Sequence, residues 1–414
     1  MNNKFEYEMI IKFSVQNFGS IKDEQILSFE ADKSEHLEDY YIIPINGLRL
    51  LKLGLIYGAN ASGKTTILKA LNFLREIVIF PKEKKIDNFD FSPFLFDAET
   101  PKQNTILSIE FIQNSVRYYY EVELNKKAII REELNFYNPN KANVFKRTTN
   151  LDTQFSEITF GSKIKTDKVF EKTLESNTLW NNTVLGGFLK TNIELKELKD
   201  ATDWFSITLS PMVRNHTYLE AIVSEFIDEL AINKKSIVKT LQKADFNISN
   251  IYLKEKAKTA GLTFYDIKLE HTINSERYQL PFDLESEGTQ RYYSLAGLLY
   301  LTIKNSSIFP IDELESSLHP DLYTHFLLSF LINSKKSQII ATTHNREILN
   351  NKDIFRNDAI WITDKSENCA TELYSLSDFD TSVIRDTSNI YNAYKIGKLG
   401  GIPNLGDYYI DIEE

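Results

Sequence analysis

Cysteine is almost absent from this sequence, in which Cys369 is the single example among 414 residues. One thiol cannot form a disulfide within the chain, and it cannot supply a zinc site built from several cysteines. Cysteine usage of this kind suits a reducing compartment, so the sequence predicts a cytoplasmic protein. The simplest interpretation of Cys369 is a small side chain that fills part of the core.

Long apolar runs are also missing. No run approaches the ~18 residues that a helix needs to cross a membrane. Residues 1–13 carry charges where a signal peptide would need an apolar stretch. We therefore expect no membrane partner, although an apolar content of 42% is ample for a large buried core.

An excess of positive charge is lacking too, since the formal net charge is −10. This balance argues against indiscriminate binding to nucleic acid, while leaving room for a local basic patch. The densest basic run contains Lys82, Lys84 and Lys85 around Glu83. We interpret this run as a solvated loop, with contact to nucleic acid as the less favoured alternative. A nucleic-acid partner is therefore possible but is not indicated by charge.

The strongest positive signal is a match to Gly-x-x-x-x-Gly-Lys-[Ser/Thr], the loop that cradles phosphate groups. Apolar residues at 53–57 predict a strand before the loop, and apolar periodicity over 67–78 predicts a helix after it. In such a loop the backbone amides converge on phosphate oxygens, Lys64 reaches the β- and γ-phosphates, and Thr65 can hold magnesium. The predicted nucleotide contacts are Gly58, Ala59, Asn60, Ala61, Ser62, Gly63, Lys64, Thr65 and Thr66.

An apolar run at 307–311 ends in two adjacent carboxylates, Asp312 and Glu313. Magnesium prefers hard oxygen ligands, so Asp312 can complete its shell while Glu313 polarises a water for attack on the γ-phosphate. Without the phosphate-binding loop, an acidic turn after a strand would be the preferred interpretation. Pro310 removes a hydrogen-bond donor from this strand, which predicts a bulge or an irregular strand.

A second apolar run, at 338–341, is followed by two threonines and then by His344. At the end of its strand, the imidazole of His344 could form a hydrogen bond with a γ-phosphate. A lone histidine is more often structural, so this residue gains a functional interpretation only from the motifs that accompany it.

A short loop before the apolar helix predicted at 294–303 carries a small residue and a glycine. Free backbone amides at the start of a helix could bind phosphate oxygens. Taken alone, the loop is better explained as a helix cap made by Ser286 or Thr289. The candidate phosphate contacts in this loop are Ser286, Gly288, Thr289 and Gln290.

Strand signals dominate the first part of the chain. Alternating residues at 10–18 and 26–29 predict two paired strands before the phosphate-binding loop. Three further alternating runs between residues 89 and 160 are separated by turn-like residues, which predicts an antiparallel β arm.

The rest of the chain changes character twice. Helical periodicity over 163–254 predicts a helical insertion. After residue 262 strands alternate with helices, as in a mostly parallel sheet. The predicted fold class is α/β, with a mixed and largely parallel sheet, an antiparallel β arm and the helical insertion. The predicted domains are an N-terminal lobe over 1–160, a helical subdomain over 161–260 and a C-terminal lobe over 261–414.

Together the four motifs resemble the ATP-binding-cassette (ABC) class of ATPase heads, which includes chromosome-maintenance, recombination and overcoming-lysogenization-defect proteins. The closer resemblance is to the AAA15 type of ATPase, whose heads are cassette-like. This resemblance implies a P-loop NTPase head of the ABC-ATPase type and extends over nearly the whole chain. The matching segments are 13–21, 58–66, 92–94, 286–290, 312–320, 342–344 and 394–403.

The resemblance implies a homodimer, or a higher oligomer, that holds ATP and Mg²⁺ between two subunits. One subunit would supply the phosphate-binding loop, and the other would supply Ser286, Gly288 and Thr289 in trans. The implied catalytic residues are Glu313 as the water-activating base, His344 as the switch histidine, and Lys64. Glu287 departs from the family pattern, which commonly carries two adjacent glycines in this loop, and no residue is assigned to the family's glutamine loop.

Two function classes remain open. The favoured one is a slow, regulated ATPase that acts as a nucleotide switch or sensor and controls a separate effector, such as a nuclease, in bacterial anti-phage defence. Only 70 residues follow His344, which is too few for a nuclease domain within this chain. The alternative is an ATPase of the recombination or chromosome-maintenance type that clamps DNA. A protein that binds nucleotide without hydrolysing it ranks last, and the motifs alone do not distinguish ATP from GTP.

Overall fold

The computed structural model describes residues 7–259, 261–379 and 390–403, whose strands form four sheets. The strands are β1 Met9–Gln16, β2 Gln25–Ser28, β3 Ile42–Ile45, β4 Leu48–Leu51, β5 Leu53–Gly58, β6 Thr105–Gln113, β7 Val116–Leu124, β8 Ile129–Tyr137, β9 Lys141–Asn150, β10 Phe155–Phe160, β11 Asn250–Thr259, β12 Leu262–Ile273, β13 Glu276–Pro281, β14 Ile308–Ile311, β15 Gln338–Thr342, β16 Ile360–Lys365 and β17 Thr371–Ser375. The helices are α1 Glu38–Tyr41, α2 Lys64–Ile79, α3 Lys168–Asn177, α4 Val184–Leu189, α5 Lys196–Asp203, α6 Leu219–Asp228, α7 Lys234–Lys243, α8 Glu287–Lys304, α9 Pro320–Asn333 and α10 Ile390–Lys395.

A five-stranded sheet positions the motifs. Its order is β14-β15-β5-β16-β17, and neighbouring strands are parallel except for β16 with β17. β5, β14 and β15 are buried along their whole length, as is usual for strands inside a parallel sheet. Because the carboxyl ends of parallel strands meet at one edge, the phosphate-binding loop, Asp312 and His344 share that edge. The predicted α/β fold with a mixed, largely parallel sheet is confirmed.

The strands predicted as an antiparallel arm join the N-terminal strands in a single sheet. Its order is β10-β9-β8-β7-β6-β1-β2, and every neighbouring pair is antiparallel. The predicted pairing of the two N-terminal strands, β1 and β2, is confirmed. This sheet packs against the helical part of the chain, because the ring of Phe111 stacks on Trp204 with centroids 4.3 Å apart. Residues of both large sheets belong to one hydrophobic cluster.

Helices α3 to α7 occupy the stretch that the periodicity predicts as helical, but they end earlier than expected. The prediction of helical structure up to residue 254 is wrong, because β11 begins at Asn250 and pairs with β12. Ile251 is buried between partly or fully exposed neighbours, which is the period of a strand. β12 also pairs with β13, so these three strands form a separate antiparallel sheet. In the described part of the chain, no helix is both long and apolar enough to cross a membrane.

The division of the chain into domains at residues 160 and 260 stays a prediction. Its outer limits, residues 1–6 and 404–414, lie outside the described residues, as does part of the charged start of the chain.

Pro310 fits its strand because β14 lies at the edge of the five-stranded sheet. The outer side of β14 is lined by residues 209–213, from which Val213 N donates to Pro310 O at 2.8 Å. The amide position and the carbonyl of a strand residue point to the same side, so the missing N–H of Pro310 faces this segment. The ladder between β14 and β15 therefore stays regular over Ile308–Ile311, and the predicted bulge is absent there.

Cys369 is exposed, which corrects the expectation that it fills the core. It lies in the turn between β16 and β17, where its backbone φ is +60° and its amide donates to Ser366 O at 2.9 Å. A residue at the tip of such a turn directs its side chain away from the sheet.

Candidate nucleotide-binding site

The phosphate-binding loop connects β5 to α2, as the sequence predicts. Two of its glycines have positive φ angles, +154° at Gly58 and +105° at Gly63. A Cβ atom on Gly63 would lie 2.0 Å from Thr371 Oγ1, and one on Gly58 would lie 2.3 Å from Thr363 Oγ1. Both the backbone conformation and the close contacts therefore exclude a larger residue at these two positions.

Two threonines from β16 and β17 support the loop from behind. The hydroxyls of Thr363 and Ser62 are hydrogen-bonded at 2.6 Å. Thr371 Oγ1 donates to Ser62 O at 2.9 Å and also contacts Ser20 Oγ at 2.7 Å. Sequence reasoning missed both threonines, because isolated polar residues on strands have no characteristic spacing.

Lys64 is buried at the start of α2. Its Nζ donates to Gly58 O and Ala59 O, both at 2.9 Å, so the ammonium group lies against the curve of the loop. Burial lowers the pKa of Lys64, while the carboxylates of Glu315, Asp312 and Glu313 act to raise it. The loop therefore holds a positive charge opposite three carboxylates.

Thr65 and Asp312 meet across the site. Thr65 Oγ1 donates to Asp312 Oδ1 at 2.9 Å, and Thr342 Oγ1 donates to the same oxygen at 2.7 Å. A hydroxyl and a carboxylate are the hard oxygen donors that Mg²⁺ takes in P-loop proteins, so these residues fit the predicted ion. Thr342, on β15, was not predicted as part of the site.

Glu313 is held in an uncommon conformation at the end of β14. Its backbone φ is +50°, a region that costs energy for a residue other than glycine. Glu313 N donates to Thr342 Oγ1 at 2.8 Å, and Asn215 Nδ2 donates to Glu313 Oε2 at 2.5 Å. These contacts fix both the backbone and the carboxylate. Asn215 lies between α5 and α6, where no motif indicated a functional residue.

His344 follows β15 and lies near the other charged groups. Its backbone N donates to Glu315 Oε1 at 2.5 Å. Partial burial and then the charge of Lys64 lower the pKa of the imidazole. His344 is therefore neutral at neutral pH in the free protein, and its ring can donate or accept a hydrogen bond.

The loop at 286–290 forms a helix cap. Ser286 Oγ accepts from Thr289 N at 3.1 Å and contacts Thr289 Oγ1 at 2.8 Å, so Ser286 is the N-cap of α8. Gln290 Nε2 donates to Phe282 O at 2.9 Å and to Glu285 O at 3.0 Å. Ser286 itself is exposed. Within the described residues, no hydrogen bond or ion pair joins this loop to residues 58–66 of the same chain.

Glu287 and Gly288 approach the segment that follows Glu313. Ser317 Oγ donates to Glu287 Oε2 at 3.3 Å, and a Cβ on Gly288 would lie 3.1 Å from Ser317 O. The carboxylate that departs from the family pattern is thus turned toward Ser317.

The segment at 394–403 packs against the back of the phosphate-binding loop. Tyr394 Oη donates to Gly401 O at 2.9 Å, and Gly401 N donates to Asp364 Oδ2 at 3.0 Å. A Cβ on Gly401 would lie 3.4 Å from the Cα of Gly58. Arg346 lies over the Tyr394 ring, 5.4 Å from its centroid, so the same segment also touches the turn after His344.

The structure thus brings one group of predicted residues together and leaves another apart. Lys64, Thr65, Asp312, Glu313 and His344 meet at the carboxyl edge of the parallel sheet. The remaining loop residues are placed by the same strand-loop-helix unit: Gly58, Ala59, Asn60, Ala61, Ser62, Gly63 and Thr66. The loop containing Ser286, Gly288, Thr289 and Gln290 has no bond to this group, and the assigned roles of all these residues stay predictions.

Comparison with known proteins finds a similar family. A family model described as "AAA domain, putative AbiEii toxin, Type IV TA system" matches residues 55–350. That match contains the loop, both carboxylates and His344. No curated protein is detectably similar to the chain.

Among solved structures, heads of SMC proteins are similar in outline. The SMC head domain from Thermotoga maritima is 15% identical with a TM-score of 0.41, and the alignment covers 88% of this chain and 98% of that one. An Smc head bound to the C-terminal domain of ScpA derived from Pyrococcus furiosus is 13% identical with a TM-score of 0.45, covering 92% and 98%. TM-scores of this size carry no conclusion about function.

Proposed function

The chain belongs to the AAA-domain family whose model it matches over residues 55–350, and from that premise we propose that it is a slow, regulated ATPase that works as a nucleotide switch. The observation that carries this proposal is the shared contact at Asp312. Thr65 from the loop and Thr342 from β15 both donate to Asp312 Oδ1, and this contact supports a site in which Asp312 binds the metal beside the phosphate-binding loop.

The geometry supports a separate role for each of the site residues. Thr65 and Asp312 would hold Mg²⁺, which supplies charge neutralisation between the phosphates of ATP when both are bound. Lys64 supplies positive charge toward the β- and γ-phosphates. Glu313, whose carboxylate accepts a hydrogen bond from Asn215, would accept a proton from an attacking water. His344, whose imidazole is neutral in the free protein, would contact the γ-phosphate.

A second copy of the chain would complete this site. Ser286 is exposed, and its loop makes no bond to the phosphate-binding loop of its own chain in the described residues. The start of α8 therefore exposes Ser286 and Glu287, and the first turn of a helix suits a phosphate held by another subunit. We propose an ATP-dependent homodimer in which residues 286–290 act in trans.

The family description supports a role in controlling a toxic activity, since it names a toxin and a type IV TA system. We propose that the chain is an AAA15-type ATPase in the cytoplasm that regulates a separate effector, such as a nuclease, in anti-phage defence. Copurification of such an effector with the nucleotide-bound protein supports this role. The role is contradicted if no protein copurifies with the chain, or if nucleotide has no effect on the proteins that do.

The alternative, an ATPase that clamps DNA, is favoured by one local feature. Residues 234–258 contain seven lysines and two carboxylates in a chain whose net charge is −10. Exposed Lys235, Lys239 and Arg277 line a groove of about 580 Å³ between α7 and the β11-β12-β13 sheet. Hydrolysis stimulated by DNA, with a steep salt dependence, would support this alternative. Lys235→Glu/Lys239→Glu should then abolish the stimulation, whereas Lys82→Glu/Lys85→Glu in the separate basic run should not.

Hydrolysis itself is tested by Glu313→Gln. Removing the general base should slow turnover by about two to four orders of magnitude while leaving ATP binding intact. Lys64→Ala should abolish binding, because the loop then lacks its only side-chain charge toward the phosphates. Turnover is measured as phosphate release and binding by calorimetry.

The matched control for this test is Glu367→Gln, which changes an exposed carboxylate outside the site. Turnover in Glu313→Gln equal to that of the wild type would refute the assignment of the base.

A further inference from the structure

Arg291 is a largely buried residue that no motif indicates. It lies in the second turn of α8, five residues after Ser286. Its Nε and Nη2 atoms are buried and have no hydrogen-bond partner within the described residues. Burial lowers the pKa of Arg291, yet a guanidinium group remains charged in proteins. A buried charge without hydrogen bonds is costly, so its position requires an explanation.

Two carboxylates act on this charge. Glu315 has the larger electrostatic effect on Arg291, and Glu313 has the smaller. Glu315 Oε2 is also buried without a hydrogen-bond partner within the described residues, while Oε1 of the same residue accepts from His344 N. Arg291 and Glu315 therefore carry opposite charges that interact, and no hydrogen bond or ion pair joins the two side chains within the described residues. Arg291 thus acts electrostatically on the proposed base and on the residue that anchors His344.

A polar cavity of about 300 Å³ adjoins Arg291 and gives its side chain room to change position. The lining includes Asn215, Glu287, Gln290, Arg291, Ser294 and Ser317. Asn215 is the residue that donates to Glu313, while Glu287 and Gln290 belong to the exposed cap of α8. The cavity therefore lies between the proposed trans loop and the proposed base of the same chain.

We propose that Arg291 is a positioning residue that orients Glu313 and Glu315 according to the position of the loop at 286–290. This inference rests on the proposed function, in which a second subunit contacts that loop. Gly288 and Arg291 are three residues apart and share a face of α8. Because a helix moves as a rigid unit, a displacement of its first turn carries Arg291 with it. Nucleotide bound in the neighbouring subunit would thereby alter the environment of the base in this one.

The test compares Arg291→Gln, which removes the charge, with Arg291→Lys, which keeps it. We expect Arg291→Gln to lower kcat about 10- to 100-fold, the size of effect seen when a catalytic group is misplaced, with an ATP Kd within about threefold of the wild type. Arg291→Lys keeps the positive charge in the same place, so it should recover most of the lost kcat.

Arg131→Gln, which changes an exposed arginine on β8, is the control. If Arg291→Lys hydrolyses ATP as slowly as Arg291→Gln, at equal Tm and equal ATP Kd, the proposal is overturned, because keeping the charge then does not restore the rate. A second readout needs no hydrolysis: in the nucleotide-free protein, the Tm shifts of Arg291→Gln and Glu315→Gln should be non-additive in the double variant. If the wild type hydrolyses no nucleotide, the proposed function fails. Additive Tm shifts would instead refute the electrostatic interaction between Arg291 and Glu315.

Discussion

At the scale of single residues, the site combines opposite charges. The carboxylates of Glu315, Asp312 and Glu313 raise the pKa of Lys64 against the effect of burial, and two carbonyls of the loop accept hydrogen bonds from its ammonium group. Nucleotide affinity should therefore change with each proton that the site gains or loses. His344 is the member whose ordinary pKa lies nearest to neutral pH.

His344 predicts a pH dependence of nucleotide binding. In the free protein, partial burial and Lys64 hold the pKa of His344 below its usual value. A bound triphosphate adds negative charge beside the ring and raises that pKa, so binding takes up a proton. Affinity should therefore strengthen as the pH falls through the range between the two pKa values.

The measurement is the ATP Kd by calorimetry across that pH range, in a Glu313→Gln background that preserves the nucleotide. His344→Gln in the same background removes the titrating group, and its Kd should follow only the protonation of ATP. Identical pH dependence in the two proteins would place His344 away from the phosphates.

The sequence indicated the site residues that belong to recognisable motifs. It did not indicate the residues that support those motifs. Gly63, Lys64 and Asp312 follow strands whose apolar pattern is visible, so both their elements and their edge of the sheet were predictable. Thr363 and Thr371 support the loop only because β16 pairs with β5 and with β17. No local signal reports a pairing between strands that are so distant in the chain.

At the scale of elements, the start of α8 combines two roles. Ser286 caps the helix, which was the plainer interpretation of the loop, and it also presents the exposed face proposed to act in trans. A cap and a phosphate contact use different groups, so they can be separated by substitution. The N-cap preference for aspartate and asparagine makes this separation possible.

Ser286→Asp and Ser286→Asn should behave differently. Both residues cap a helix well, so the Tm of each variant should stay close to that of the wild type. Aspartate also brings a negative charge toward the γ-phosphate of the other subunit, whereas asparagine does not. We expect Ser286→Asp to lose ATP-dependent assembly and hydrolysis, while Ser286→Asn retains most of both.

Assembly is measured by light scattering and hydrolysis by phosphate release. Equal activity of Ser286→Asp and Ser286→Asn, at unchanged Tm, would limit the role of this residue to capping α8.

Elements with regular apolar periodicity were predictable from the sequence. The strands with which they pair were harder to predict. The apolar pattern indicated β5, α2 and the N-terminal pair β1 and β2. It did not indicate β11, since one buried residue, Ile251, among exposed neighbours is a weak signal. The antiparallel pairing of β11 with β12, the next strand along the chain, decides its conformation.

At the scale of the whole molecule, the central question is assembly. The site residues lie at one edge of the parallel sheet, and the loop proposed to complete the site faces outward. A protein of this design should associate only when nucleotide is present to join the two surfaces. The two surfaces cannot be matched from one sequence, because no pattern within a chain records which copy a loop contacts.

The assembly prediction concerns Glu313→Gln, in which bound ATP persists. Light scattering should give the mass of one chain without nucleotide and about twice that mass with Mg²⁺ and ATP, at low salt and without nucleic acid. A Lys64→Ala/Glu313→Gln double variant should remain a single chain under both conditions. An unchanged mass and shape of Glu313→Gln with ATP would reduce the loop at 286–290 to a helix cap.

The supports of the phosphate-binding loop also bear on how the protein is made. Ser62 bonds to Thr363 and Thr371, which follow it by 301 and 309 residues. Gly401, near the end of the described residues, packs against Gly58. A ribosome therefore completes the motif long before it supplies the residues that hold the motif in shape. A chain cut short by a premature stop codon carries the signature of a nucleotide-binding protein without a working site, so truncation should yield an inert product and not an unregulated one.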